Sequence, residues 1–545
     1  MDTLVVGLDG GEWDVIDPMI EAGELPNLGQ LKNDGVSGPL ESITPPVSPP
    51  AWNSIQTGTN PGKHGIFDFS TFEEDYNRRS INSSDRRSSP FWSIMNDYGT
   101  TTGLFKIPFT YPPEEVDGYL VSGFPTPNSI EDFVQPEPLR DTIGTAENLF
   151  EDKSLYKAGN EREFKENLIK VAEYQTELFL TLIDDHETEF AMSVYDGSDR
   201  IQHYFWKYLD ESHPRYDPDS PHTDAIKRYY ETVDDGIGQI LEQTDDECDV
   251  LIISDHGFGP LSYDIYIDEW LEDTGYLTRE TQGSPNQVAI DLAAEILKFG
   301  WDVVGSAGLQ KLVKSVLPAS WFEFGGSLQD NSHRTIVWDE TEVFFSTLSG
   351  QALFINLEDR FTQGTVTHEE YDTVVEQVRD SLRSIRHPET DDQLVEAVVR
   401  SEEVYSGWIV DDAPDLIVRT NPEYTLKNGH SDELIRPSKQ YGQDRSGDHR
   451  RDGIFIASGP NFNCGTIENA SVVDIAPTLL HLHNCPIPET VDGIVLQDAM
   501  TEEHKGVSSI KYTNNYGETD GERREWSESE EEALEERLSN MGYLN

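Results

Sequence analysis

Short apolar runs that end on an acidic residue, a histidine or a glycine recur along the chain. The first is Leu4–Leu8, which runs straight into Asp9-Gly10-Gly11. A run of that length with no alternating polar position fits a strand buried on both faces. Further strands are predicted at Leu120–Ser122, Phe190–Tyr195, Val250–Ser254, Leu416–Val418 and Ile454–Ala457. Helical spacing predicts a helical stretch toward Leu31 and helices over Asn167–Asp184 and Thr223–Gln243. Strands that alternate with helices place the chain in the α/β class, a mixed sheet flanked by helices. Several runs are followed at once by a polar motif, and a sheet of this kind presents ligands at the carboxyl ends of its strands.

Two stretches interrupt that alternation. The pattern divides the chain into core segments at 1–125, 190–262 and 333–500, a helical insertion at 126–189, a helical cap insertion at 263–332 and a tail at 501–545. Within the cap, Val288–Leu317 is apolar enough for one or two packed helices, and Pro318, Gly325 and Gly326 break it. The tail reads as polar and mobile to about residue 525. Ser527 and Glu530 then form a capping box for a short acidic helix to Leu538.

Charge narrows the function classes. The 545 residues hold 103 acidic against 40 basic side chains, a formal net charge of −63. The acid is spread along the chain, as in a surface adapted to high salt, where counter-ions screen self-repulsion. Duplex nucleic acid is an unfavourable partner, because backbone contacts need a basic stripe. Cys248, Cys464 and Cys485 are too scattered for a disulfide framework or a thiolate zinc site. No run reaches membrane-spanning length and no signal peptide is read at the N-terminus. The expectation is a soluble cytoplasmic protein of a high-salt organism, in which a homo-oligomer is compatible with the surface.

The chemistry lies in five motifs. Asp9 closes the first strand, and Ser48 opens Ser48-Pro49-Pro50-Ala51-Trp52, where proline in a first helical turn puts the serine at a helix cap. Asp199 and His203 stand four apart, on one helix face. Asp255-His256 follows a strand and His449 precedes one, with Asp448 beside it as an orienting group. Each motif alone is commonplace: most Ser-Pro serines only cap helices, and many Asp/His pairs are solvated. Together they form a set of carboxylates, imidazoles and one hydroxyl suited to metal-assisted phosphoryl transfer. His64 and His430 have no carboxylate at ligand spacing and read as structural or pocket-lining.

In that order the motifs resemble the alkaline phosphatase superfamily, in the type I phosphodiesterase/nucleotide pyrophosphatase branch and its group of predicted phosphohydrolases and phosphomutases. VVGLDGGEW, SPPAWNSIQTGTNPGKHGIFDF, SDRIQHYFW, IISDHGFG and HRRDGIFIASGP carry the likeness, which spans residues 4 to about 496. It implies an alkaline-phosphatase-like fold with helical cap insertions and two divalent cations, zinc with manganese as the alternative. One ion would be held by Asp199, His203 and His449, the other by Asp9, Asp255 and His256. Ser48 would lie between them, a ligand as well as the nucleophile. The implied reaction is hydrolysis of a phosphate mono- or diester through a Ser48 phosphoenzyme. Its substrate would be a small molecule or a glycan- or lipid-linked ester.

One position departs from the family pattern. An Asn usually follows HGI by a few residues and donates to a phosphoryl oxygen, but Phe69 stands there in this chain. Lys106, in LFKIPFTYPP, is the candidate for that catalytic role. A sulfatase is disfavoured because the run after Ser48 lacks the arginine its nucleophile maturation requires. The alternatives are a phosphomutase or phosphotransferase with an alcohol acceptor, and a non-catalytic metal-binding member of the fold.

Overall fold

The computed structural model describes residues 1–127, 132–145, 149, 156, 159–245, 247–280, 336–345, 351–429, 431–438, 445–507, 509–519, 523–527 and 529–534. The expected cap helices over Val288–Leu317, His430 and the last residues of the helix to Leu538 lie outside the described residues.

A ten-stranded mixed sheet carries the molecule. Its main strands are β1 (Thr3–Leu8), β2 (Val36–Glu41), β3 (Thr102–Ile107), β4 (Gly118–Ser122), β5 (Phe190–Tyr195), β6 (Asp249–Ile253) and β7 (Asp452–Ser458). Across the sheet the order is β2, β7, β6, β1, β5, β3, β4, with short strands added outside β2 and β4. β1 is parallel to both β5 and β6, and β5 and β4 are parallel to β3. β7 runs antiparallel between β2 and β6.

The central strands are buried on both faces, as their unbroken apolar runs require. Leu4, Val6 and Leu8 enter one apolar cluster with Ile16, Phe205, Tyr229 and Ile237. Val5 points the other way, into a second cluster with Trp52, Ile55 and Leu479. The covering helices are α1 (Trp13–Ala22), α2 (Ser48–Thr57), α3 (Glu161–Asp185), α4 (Gly197–Leu209), α5 (Ala225–Leu241) and α6 (Ile475–Leu482). The fold is the alkaline-phosphatase-like mixed sheet flanked by helices.

Strand direction then gathers the motifs. β1, β5 and β6 finish at one edge, where Leu8 pairs with Tyr195 and Gly7 with Ile253. Because β7 is antiparallel, its beginning lies at that same edge. The residues after three strands and before the fourth therefore converge.

Leu416–Thr420 is a strand, as its apolar run predicts, but it does not join the main sheet. It belongs to a four-stranded antiparallel sheet in the order Val343–Phe345, Ala352–Ile355, Leu416–Thr420, Val395–Arg400. Helix His368–Arg383 covers this sheet, and Phe344, Phe354, Val375, Leu382 and Val418 form its separate apolar cluster. An apolar run specifies burial, and its cross-strand partners decide which sheet it joins. The polar tail makes contacts with the core. Tyr512–Thr513 pairs with Ile487–Pro488, and Thr519 N donates to Arg87 O at 2.9 Å.

Candidate active site

Each motif residue is delivered by a specific local structure. Asp9 leaves β1 on a tight turn in which Gly10 has φ +65° and donates its N–H to Asp255 Oδ1 at 3.2 Å. A Cβ at Gly10 would be strained and would meet Phe258 Cδ2 at 2.9 Å, so glycine is required there. Ser48 is the first residue of α2, one place inside the cap position taken by Val47. One turn on, Trp52 Nε1 donates to Asp9 Oδ2 at 2.9 Å and fixes that carboxylate. Asp199 and His203 occupy one face of α4. His449 lies on a two-stranded ribbon, Gly447–Arg450 against Gly257–Pro260, which ties it to the strand after His256.

Two buried clusters result, Asp199 with His203 and His449, and Asp9 with Asp255 and His256, each with its ligand atoms within 4.8 Å of one another. His449 Nε2 lies 3.1 Å from Asp199 Oδ1 and 3.2 Å from His203 Nε2. His256 Nε2 lies 3.6 Å from Asp9 Oδ1 and 3.4 Å from Asp255 Oδ2. The His256 and His449 rings stack at 3.9 Å and join the clusters. Ser48 Oγ sits 3.2 Å from His256 Nε2 and 3.4 Å from Asp9 Oδ1.

The protonation pattern suits cation binding. His203, His256 and His449 each turn Nδ1 toward a backbone carbonyl, of Gly447, Gly257 and Pro46, at 2.9, 3.0 and 3.1 Å. A carbonyl only accepts, so each ring carries a proton on Nδ1 and turns Nε2 to the cluster. Arg445 Nη2 also lies 2.7 Å from His203 Nδ1, a donor facing a donor, so its favourable partner there is Asp448 Oδ1 at 2.9 Å. Despite burial, the Arg445 guanidinium and the two neighbouring imidazoles hold Asp448 well below the carboxylate range.

Charge balance points the same way. Burial, then the Asp255 and Asp199 charges, push Asp9 well above the carboxylate range, and burial and Asp199 do the same to Asp255. Asp199 is held well below that range, burial notwithstanding, by His203 and His449. Burial and the facing His449 lower His256 to about 4. Asp255 Oδ2 is buried without a hydrogen-bond partner. An orphaned carboxylate oxygen among mutually repelling acids and imidazole Nε2 atoms is a donor set that fits divalent cations.

A pocket opens beside Ser48, lined by Asp9, Ser48, Phe69, Pro108, Phe124, Asp196, Asp199 and Arg200. Phe69, at the position of the absent Asn, makes part of its apolar wall. Lys106 is not among the lining residues. Its ammonium donates to Asp196 Oδ1 and Gln175 Oε1, both at 2.9 Å, so it touches the pocket through Asp196.

A profile of the type I phosphodiesterase / nucleotide pyrophosphatase family matches residues 3–450. The chain belongs to that family. The family lies in the alkaline phosphatase superfamily, and its enzymes are phosphoric ester hydrolases. Among curated proteins, none matches the sequence. Phosphonoacetate hydrolase from Sinorhizobium meliloti, solved with phosphonoacetate, aligns with a TM-score of 0.52 and 12% identity over 89% of this chain and 95% of that one. That likeness is one of fold. Human and murine ectonucleotide pyrophosphatase / phosphodiesterase 5 align with TM-scores of 0.48 and 0.47 and identities of 16% and 14%, over 92% of this chain and 100% of theirs.

The six carboxylate and imidazole residues read from the sequence converge, and Ser48 joins them. Trp52, Arg200, Asp196, Arg445 and Glu12 were not anticipated. Trp52 had a signal, four residues after Ser48 on the same helix. Glu12 had none: its carboxylate caps α1 through Asp14 N and accepts Phe258 N at 2.8 Å, a contact across 246 positions.

Proposed function

We propose that the protein is a metal-dependent phosphohydrolase that cleaves a phosphate mono- or diester through a phosphoserine intermediate at Ser48. The observation that carries this reading is the position of Ser48 Oγ, in contact with Asp9 and His256 where the two clusters meet. The mixed nitrogen and oxygen donor set suits zinc, with manganese as the alternative. When bound, such cations supply positive charge that favours the serine alkoxide and offsets charge on the phosphoryl oxygens.

The chain's own groups do the rest. Trp52 holds Asp9, the Gly257 and Pro46 carbonyls orient His256 and His449, and the start of α2 presents Oγ beside Asp9 and His256. Oγ gives up its proton to solvent as it bonds to phosphorus, the P–O ester bond to the leaving group breaks, and the leaving oxygen takes the electron pair and recovers a proton from solvent. Water then cleaves the phosphoserine and restores the hydroxyl. Arg200, which lines the pocket, serves as the cation beside the phosphoryl group, and Lys106 sets the carboxylate of Asp196 next to it.

The test compares wild type and Ser48→Ala on p-nitrophenyl phosphate and bis(p-nitrophenyl) phosphate, in concentrated potassium chloride with zinc or manganese. Turnover that EDTA abolishes and that falls at least about a hundredfold in the variant supports the reading. Equal turnover by both proteins overturns the nucleophile.

A further inference from the structure

We propose that the C-terminal segment is a working part of the substrate pocket: Leu534 positions the Phe69–Phe124 wall and thereby sets which organic group on the phosphate ester is accepted. The inference rests on the Ser48 reading above.

Phe69 and Phe124, which line the pocket beside Ser48, also belong to an apolar cluster with Ile66, Ile81, Phe109 and Leu534. The Phe69 ring packs on Phe124 and on Phe109 with centroids 5.7 Å apart in both cases. Leu534 is 1% exposed, and Trp526 packs against the same cluster. Trp526 and Leu534 are the large apolar side chains of an otherwise charged stretch, Arg523-Arg524-Glu525-Trp526 through Glu532-Ala533-Leu534. Both are spent on this wall.

The segment is held in register by polar contacts that a loosely adsorbed tail would lack. Glu530, 8% exposed, accepts from the Tyr111 hydroxyl at 2.5 Å and from Arg524 Nη2 at 2.8 Å. Tyr111 in turn stacks on Trp526 at 5.4 Å, and the Trp526 indole donates to Ser80 O at 3.1 Å. Asn82 Nδ2 donates to Arg524 O at 2.9 Å, and Arg523 pairs with Asp85 at 2.8 Å. Ser527 N donates to Glu530 Oε2 at 2.7 Å, closing the turn from which residues 529–534 continue as helix. The segment therefore delivers Leu534 to a fixed place behind two rings that face the reacting hydroxyl.

Truncating Leu534 leaves a cavity in that cluster, into which Phe69 or Phe124 relaxes. Small displacements of a substrate-contacting wall are amplified in binding of whatever packs on it. A group that does not reach the wall is unaffected, and this contrast separates positioning from mere bracing.

The experiment uses full-length wild type, Leu534→Ala, Leu534→Val and Leu534→Met with two diesters sharing one leaving group, bis(p-nitrophenyl) phosphate and methyl p-nitrophenyl phosphate. The expected result for Leu534→Ala is a KM about tenfold higher for the aryl diester and within about twofold of wild type for the methyl diester. Leu534→Met, which refills the volume, returns the aryl KM. Leu534→Val gives the same split at smaller size and serves if the alanine variant does not fold. Equal changes for both diesters, or none, overturn the inference and leave the Ser48 reading intact. The same holds for a wild type that hydrolyses p-nitrophenyl phosphate but neither diester. A wild type that turns over none of the three overturns both.

Discussion

At the scale of single residues, the site stores unfavourable electrostatics in the metal-free protein. Asp9 and Asp255 are buried within reach of Asp199, and Asp255 keeps one oxygen unpaired. Asp255→Asn removes a buried ionisable group with an unpaired oxygen and offers an amide N–H to His256 Nε2, which lies 3.4 Å from the present oxygen. The metal-free variant is expected to be more stable than wild type by about 1–2 kcal/mol, the cost of a buried unsatisfied group. The stabilisation that zinc gives wild type is expected to shrink to what the Asp199, His203 and His449 cluster alone supplies. Thermal unfolding with EDTA and with added zinc checks both halves, and a variant destabilised under EDTA overturns the account. Trp52→Phe tests the neighbouring contact. It keeps the ring and deletes the indole N–H on Asp9, so metal affinity is expected to fall about 10–100-fold, the usual cost of losing an orienting partner. Competition with a chelating indicator measures it.

At the scale of elements, α2 is locked from behind by His64. His64 Nε2 contacts Ser54 Oγ at 3.0 Å, and Ile66 N donates to Nδ1 at 3.2 Å, so the imidazole is neutral with its proton on Nε2. Burial, then Arg86, lowers its pKa to about 3. The depressed value fixes the sign. The unfolded chain binds a proton near pH 6.5 that the folded one refuses, so this contribution is complete above that pH and is lost as pH falls toward 3. Between pH 6.5 and 4.5 the loss is on the order of 2 kcal/mol, since the slope reaches 1.36 kcal/mol per unit only below the unfolded pKa. Denaturation midpoints of metal-free wild type are expected to fall more steeply over that interval than those of His64→Gln. Parallel curves would rule out the linkage. The same scale shows what the sequence could reveal. Leu4–Leu8, Phe190–Tyr195 and Val250–Ile253 announced themselves because strands buried on both faces need uninterrupted apolar runs, and the ligands follow directly at the strand ends. Leu416–Thr420 carries the same signature yet pairs with Ala352–Ile355 and Val395–Arg400, a choice made by partners up to sixty-odd positions away. Glu12 and Leu534 were illegible for the same reason: nothing local distinguishes them, and only tertiary contacts bring them to the site.

At the scale of the whole molecule, net charge is expected to weigh on stability more than any one contact does. A net charge of −63 on 545 residues gives a self-repulsion that the folded state must carry. The ion pairs are modest partners against it. Arg400, for example, gathers Asp372, Glu376 and Glu402, all three acids exposed, and such surface pairs contribute little each. Screening acts on the sum. The Debye length falls from about 10 Å at 0.1 M salt to about 3 Å at 1 M, shorter than most spacings between surface carboxylates. The unfolding temperature is therefore expected to rise steadily with potassium chloride from 0.1 M into the molar range. Sodium chloride should act alike, and sucrose at matched osmolality should act less, because it does not screen. Opposing contributions are separable within one protein. Salt weakens the Arg400 network while it relieves the global repulsion, so Arg400→Gln is expected to lose stability at low salt and to converge on wild type at high salt. If the unfolding temperature instead falls with salt, attractive pairs outweigh repulsion, and the acidic surface is no adaptation to salinity.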